Sequence, residues 1–114
     1  MHRIGVVGAG YFGKLHASKY AETKAGKLVA ICDIDREKAA ACAGQYGGAP
    51  CTDYTELFDK VDAVSIVVPT NSHFEIARDF LRHGIHVLLE KPISSTLDEA
   101  DELIRIAKDR GVVF

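Results

Sequence analysis

Several stretches of this chain are almost continuously apolar: IGVV at 4–7, LVAIC at 28–32, AVSIVV at 63–68 and HVLL at 86–89. A strand with one wet face alternates apolar and polar positions, whereas an unbroken run belongs to a strand covered on both faces, as in a parallel sheet. The runs predict strands over 3–7, 28–33, 63–68 and 86–90, a weaker one over 50–52 and a final stub at 112–114. Segments of helical period lie between them. Thr96-x-x-Glu99 and Ser72-x-x-Glu75 read as capping boxes, and Asp35 reads as an N-cap before REKAAACAGQY. In the last helix Leu97, Ala100, Ile104 and Ala107 are expected to share the buried face, and Gly84 and Gly111 to follow helix ends. Alternating strands and helices imply an α/β fold: a doubly wound Rossmann sheet, whose right-handed crossovers favour the strand order 3-2-1-4-5-6.

Composition narrows this further. The chain of 114 residues is one domain long, 47 % hydrophobic and 26 % charged, with a net charge of −2. Its basic residues are scattered, so no stripe for nucleic acid is expected. Three cysteines without CxxC or Cys/His ligand spacing read as small buried hydrophobes of a reducing compartment, with no metal site. No apolar run approaches the length that spans a membrane, and MHRIGVVGAG reaches glycines too soon for a signal peptide. A cytoplasmic address is expected. The sequence stops at VVF, partway into the sixth strand, so a fragment of a longer protein is expected too.

The chemistry gathers after the strands. Directly behind the first comes Gly8-Ala9-Gly10-Tyr11-Phe12-Gly13, which fits GxGxxG. Gly8 permits a tight turn, Gly10 lets the backbone approach a pyrophosphate, and Gly13 allows close packing of the helix beginning there. The free N–H groups at that helix start favour an anion. Alone the motif is weak, since glycine-rich turns also serve structure. Asp33 strengthens it, lying about twenty residues beyond Gly13, where the dinucleotide fingerprint places an acid. A carboxylate there accepts hydrogen bonds from an adenosine ribose and repels a 2′-phosphate, which favours NAD, with Arg36 leaving NADP open. S-adenosylmethionine methyltransferases share a glycine loop and an acid after the second strand, and they remain the minority alternative.

Ligands in open parallel sheets bind outside the carboxyl ends of the strands, where strand order reverses. In the expected order the fourth strand ends there as VVPTNSHFEIA and the fifth as LLEKPIS. Pro-Thr-Asn is also ordinary turn chemistry, His73 just inside a helix is more often a capping or packing residue than a catalyst, and Glu90-Lys91 on any other strand would be a structural ion pair at a strand end.

Together GAGYFG, the acid in CDID, PTNSHFEIA and above all EKPIS resemble the glucose–fructose oxidoreductase/inositol dehydrogenase (Gfo/Idh/MocA) family over essentially the whole chain. The resemblance implies an N-terminal NAD(P)-binding domain, followed by a substrate domain for sugars, cyclitols or related hydroxyl compounds, and a homo-oligomer at full length. Gly8, Gly10 and Gly13 would form the dinucleotide loop, with backbone contacts from Tyr11 and Phe12, and Asp33 would hold the adenosine ribose. Thr70, Asn71 and His73 would line the cofactor and Glu90 would reach the nicotinamide ribose. Lys91, the catalytic candidate, would lie near the nicotinamide, turned into the cleft by its bond to Pro92. The first loop and AICDID are also similar to bacterial members that oxidise the 3-hydroxyl of nucleotide-linked N-acetylglucosamine. The family's remaining catalytic groups, an Asp and a His, would belong to the second domain, so the isolated chain is expected to bind cofactor without turnover. A cofactor-sensing or interaction protein that kept the fold and lost the chemistry is the alternative from another class.

Overall fold

The apolar runs do form a parallel sheet. The computed structural model describes residues 2–22, 26–68, 72–89 and 97–114. Within them lie β1 (His2–Val7), α1 (Tyr11–Glu22), β2 (Gly26–Cys32), α2 (Arg36–Tyr46), β3 (Ala49–Cys51), β4 (Ala63–Ile66), α3 (His73–Arg82), β5 (His86–Leu89) and α4 (Leu97–Arg110). A 3₁₀ turn, Tyr54–Leu57, precedes β4. The strands are all parallel, in the order β3-β2-β1-β4-β5. Val112–Phe114 forms no sixth strand among the described residues. It makes one ladder bond, from the Val87 N–H to the Val113 carbonyl at 3.0 Å, but the Val113 N–H turns to the ring Nδ1 of His86 at 2.9 Å.

Both faces are covered, as the unbroken apolar runs require. Val6, Leu28 and Ile31 pack with Ala17, Cys42 and Ala43 of α1 and α2. Val7, Ala30, Cys32, Val64, Ile66 and Val87 point the other way, against Ala77, Phe80 and Leu81 of α3 and Leu103, Ile106 and Ala107 of α4. Coverage thins toward β5 on the α1 side, where Leu88 is 55 % exposed. Buried Ser65 on the same side is satisfied by the Tyr20 hydroxyl.

Helix starts divide into one confirmed and one corrected. Asp35 caps α2, its Oδ1 accepting from the N–H groups of Glu37 and Lys38 at 3.0 and 3.3 Å. Ser72 occupies the N-cap of α3 but makes no side-chain cap bond. Its backbone is already near-helical, φ −98° and ψ −9°, whereas a capping hydroxyl needs an extended residue to reach back to the next turn. Thr96 lies outside the described residues. The buried face of α4 also differs from expectation: Leu103, Ile106 and Ala107 face the core, while Leu97 and Ile104 are 84 % and 47 % exposed. At 3.6 residues per turn the face is rotated by roughly a quarter turn from the predicted one.

Pairing places the last residues of all five strands in one row. Cys51 pairs with Cys32, Cys32 with Val7, Val7 with Ile66, and Ile66 with Leu89. The chain therefore leaves every strand at the same level of the sheet. Thr52, Asp33, Gly8 and Val67 are the next residues out.

At the opposite end Arg3 ties β1 to the turn before β4. Its guanidinium lies 3.1 Å from Asp62 Oδ1, and its backbone N–H donates to Asp62 Oδ2 at 2.8 Å. These hydrogen bonds, with the charge of Arg3, hold the Asp62 carboxyl at about 2, below the ordinary carboxylate value. A depressed folded-state pKa stabilises fully above the unfolded value near 3.9 and loses that contribution as pH falls through about 2. Asp62→Asn is therefore expected to melt below the parent chain at pH 5, with the gap closing between pH 4 and about 2 and shrinking in high salt, as thermal unfolding across pH will report.

Candidate dinucleotide site

The three loop glycines do not play the same part. Gly8 has φ +107°, and a Cβ there would lie 2.3 Å from the Val67 carbonyl oxygen. Gly13 falls in the first turn of α1, which begins two residues earlier than expected, and its Cβ would lie 1.8 Å from the Gly8 carbonyl oxygen. These two permit close approach of backbone to backbone. Gly10 is unlike them: it has no positive φ and nothing within 4 Å of an added Cβ. Its bare backbone faces open space at the start of α1, where the Gly10 carbonyl accepts from the Lys14 N–H at 2.9 Å. The first N–H groups of a helix have no intrahelical partner, and at this end the helix dipole is positive. Tyr11 and Phe12 supply the backbone of that first turn.

Asp33 reaches across from β2 to the loop. Its Oδ2 accepts from the Ala9 N–H at 2.8 Å, and its Oδ1 from the Asp35 N–H at 2.8 Å. The backbone is tied at the same point: the Gly8 N–H donates to the Cys32 carbonyl at 2.7 Å and the Asp33 N–H to the Cys51 carbonyl at 3.0 Å. The acid therefore braces the glycine loop while each oxygen keeps lone-pair capacity for a further donor.

Gly8, Gly10 and Asp33 line one cleft of about 730 Å³. Ile34, Lys38, Thr52, Tyr54 and Ile76 are further lining residues that the sequence reading did not single out, and Ser72, read there only as a helix cap, is another. Thr52 could have been found by its place one residue beyond the strand-end row. Ile34 is 94 % exposed, an aliphatic side chain beside a carboxylate at the cleft wall. The Tyr54 hydroxyl donates to Asp79 Oδ2 at 2.6 Å, and burial, together with that carboxylate, pushes the phenol up, so it stays protonated at neutral pH. Arg36, the expected cation near the adenosine end, lines a neighbouring opening with Pro50 and Cys51, while Lys38 lines the cleft itself.

His73 is 1 % exposed, and its ring Nε2 lies 2.6 Å from the Val68 carbonyl oxygen. A carbonyl only accepts, so Nε2 carries the proton, and the ring fastens the start of α3 to the end of the β4 segment. Thr70, Asn71, Glu90 and Lys91 lie outside the described residues. The strands that lead to them, β4 and β5, end in the same row as β1, one and two strand spacings from it. With strands about 4.8 Å apart, the end of β5 is about 10 Å from that of β1.

The site fits a dinucleotide on structural grounds: an open glycine backbone at a helix N-terminus, a braced carboxylate one strand away, and a cleft joining them. The glycines give a test that separates packing from binding. Gly8→Ala and Gly13→Ala are expected to cost about 2–4 kcal/mol through strain and overpacking, lowering Tm by on the order of 10 °C. Gly10→Ala meets nothing in the folded chain, so it should leave Tm within about 2 °C while weakening dinucleotide binding at least about tenfold, read by calorimetric titration.

Comparison with known proteins agrees with this geometry. The model of an oxidoreductase family with an NAD-binding Rossmann fold, Gfo/Idh/MocA, matches residues 2–114. UDP-N-acetylglucosamine 3-dehydrogenase of Acidithiobacillus ferrooxidans is 40 % identical over 112 residues, covering 98 % of this chain and 35 % of that protein. Its crystal structure superposes with a TM-score of 0.94, over 99 % of this chain and 37 % of that one. D-glucoside 3-dehydrogenase of Escherichia coli is 36 % identical, over 98 % of this chain and 33 % of its own length. The WlbA dehydrogenase of Bordetella pertussis, solved with NADH and UDP-GlcNAcA, is 26 % identical with a TM-score of 0.90, over 97 % of this chain and 35 % of that one. The chain thus spans about a third of the length of these relatives. From the row of strand ends, the glycine loop braced by Asp33 and the family match over 2–114, the chain belongs to the Gfo/Idh/MocA oxidoreductases and carries their NAD-binding Rossmann fold.

Proposed function

We propose that residues 1–114 are the cofactor-binding half of an NAD-dependent dehydrogenase acting on a secondary hydroxyl of a sugar, cyclitol or nucleotide-linked sugar. The observation that carries the reading is the bare backbone of Gly10 facing the same cleft as the Asp33 carboxylate. Gly8 and Gly13 hold the loop tight, Gly10 admits a pyrophosphate, and Asp33 accepts from the adenosine ribose while keeping Ala9 in place. The Asp33 charge opposes a 2′-phosphate and favours NAD. Lys38 is the lining cation that offsets it, so NADP binds more weakly without being refused. His73 contributes by fastening the start of α3 to Val68, and Thr70 and Asn71 line the cofactor.

When bound, the nicotinamide supplies hydride chemistry. Glu90 holds its ribose, and Lys91 hydrogen-bonds the reacting oxygen and relays its proton. A downstream domain supplies the substrate pocket with an Asp and a His. The whole protein works as a homo-oligomer in the cytoplasm. Among the described residues no helix is long and apolar enough to cross a membrane.

The 3-hydroxyl of a nucleotide-linked N-acetylhexosamine is the narrower substrate reading, supported by the similarity to UDP-N-acetylglucosamine 3-dehydrogenase. Titrating the chain with NAD, NADP and S-adenosylmethionine while following thermal unfolding tests the cofactor assignment. NAD is expected to raise Tm most and NADP less, whereas stabilisation by S-adenosylmethionine alone would refute it. In the full-length protein Lys91→Met should abolish turnover and leave NAD affinity within about threefold, since a proton relay contributes to the reacting state and little to binding. Normal turnover by that variant would remove Lys91 from the mechanism.

A further inference from the structure

The carbonyls of Cys32 and Cys51 hold the loop and Cys32 lines the cleft, but the site as described gives their thiols no role. The two residues are register partners on adjacent parallel strands, so their side chains leave the sheet on the same face. Neighbouring strands lie about 4.8 Å apart, inside the range of roughly 4.4–6.8 Å between Cα atoms that a disulfide spans. Each thiol bears on the other's proton: Cys51 raises the affinity of Cys32 for its proton, and Cys32 lowers that of Cys51. Cys32 is 3 % exposed, but Cys51 is half-buried and borders an opening of about 390 Å³ lined also by Arg36, Thr52 and Glu56. Cys42, the remaining cysteine, is fully buried in the other core cluster, on the α1/α2 side of the sheet.

We propose that Cys32 and Cys51 form a dithiol that closes reversibly to a disulfide, and that closure and NAD binding oppose one another. The coupling rests on the cofactor reading above. The Cys51 carbonyl accepts the Asp33 N–H, the Cys32 carbonyl accepts the Gly8 N–H, and Asp33 in turn holds Ala9. Drawing the two sulfurs into a bond moves the more yielding partner, Cys51, which ends an edge strand of only three residues. That shift carries its carbonyl and Thr52 with it, and so disturbs the support of the ribose-binding acid.

A low-molecular-weight disulfide is the oxidant. The Cys51 thiolate attacks one of its sulfurs and expels the other half as a thiolate. The Cys32 sulfur then gives up its proton, attacks Cys51 and expels the second half. Two S–H bonds and one external S–S bond are lost, one internal S–S bond and two external thiols are formed, and the external disulfide takes up both electrons. Burial pushes both thiols up, Asp53 and Glu56 add to this at Cys51, and Lys60 opposes it. Little thiolate is present at neutral pH, so closure is slow and speeds up as pH rises.

Equilibration of the chain in buffers of oxidised and reduced glutathione, with and without saturating NAD, tests the proposal. Peptide mapping under non-reducing conditions should find Cys32 joined to Cys51 and Cys42 free, and dithiothreitol should reverse the link. The closed form is expected to bind NAD about tenfold more weakly, and saturating NAD to shift closure toward the dithiol by the same factor, because coupling is reciprocal. Cys51→Ser should keep NAD affinity and lose all response to the glutathione ratio. A stable mixed disulfide on Cys51 with no internal link would overturn the proposal, as would a closed form with unchanged NAD affinity. Failure of the reduced chain to bind NAD refutes the cofactor reading and the coupling with it, while the mapped link still reports on the dithiol by itself.

Discussion

The bond from the Ala9 N–H to Asp33 Oδ2 is the contact on which the rest of the site depends. It joins the loop after β1 to the end of β2, and it uses a carboxylate whose other oxygen is held by the Asp35 N–H. A charged acceptor makes a stronger bond than a neutral one, and two such bonds fix both position and rotation of the group. With the Gly8 N–H on the Cys32 carbonyl, the loop is anchored through backbone and side chain at adjacent points. Asp33 is therefore read too narrowly as a ribose-binding residue. It is also the brace that keeps the Gly10 backbone turned to the cleft before any ligand arrives, and preorganisation of that kind lowers the cost of binding.

That brace works because the sheet delivers its strands level. Cys51, Cys32, Val7, Ile66 and Leu89 form one row, so the segments carrying the candidate chemistry start from one edge. Apolar burial on both faces holds the row in place: Val6 and Ile31 beneath α1 and α2, Val7 and Ile66 beneath α3 and α4. The sheet serves the site as a frame. Its contribution is to set the spacing between a glycine turn, a carboxylate and the segments that follow β4 and β5. The region between Tyr54 and Phe80 extends the support, since the Tyr54 ring packs 5.7 Å from Phe80 while its hydroxyl is held by Asp79.

Where the physical cause is local, the sequence was legible. Gly8 and Gly13 have backbone in contact with backbone, which only glycine permits, and that need is written in the spacing GxGxxG. Unbroken apolar runs revealed a sheet covered on both sides, and Asp35 was legible as a cap because capping involves only the next few residues. What depended on tertiary placement was not. The buried face of α4 follows how the helix packs against α3, so Leu103 and Ile106 face inward where Leu97 and Ile104 were expected. Ser72 fails as a side-chain cap because its own backbone is already near-helical. His73 was legible as a packing residue, but its partner, the Val68 carbonyl, was not, because that contact is set by how the chain enters α3. Lys38 replaced Arg36 at the cleft because facing is set by the packing of α2.

The central claim is that NAD lies across the glycine loop and the Asp33 carboxylate at the carboxyl ends of β1 and β2. Titration of the 15N-labelled chain with NAD, followed through its backbone amide resonances, tests this most directly. The largest shifts should fall on the amides of Ala9, Gly10 and Asp35, with smaller ones at Thr52 and Ser72 along the cleft, and the open face beside Leu88 should stay unchanged. Shifts centred on β5 and Val113, with Ala9 and Gly10 unmoved under saturation, would contradict the account.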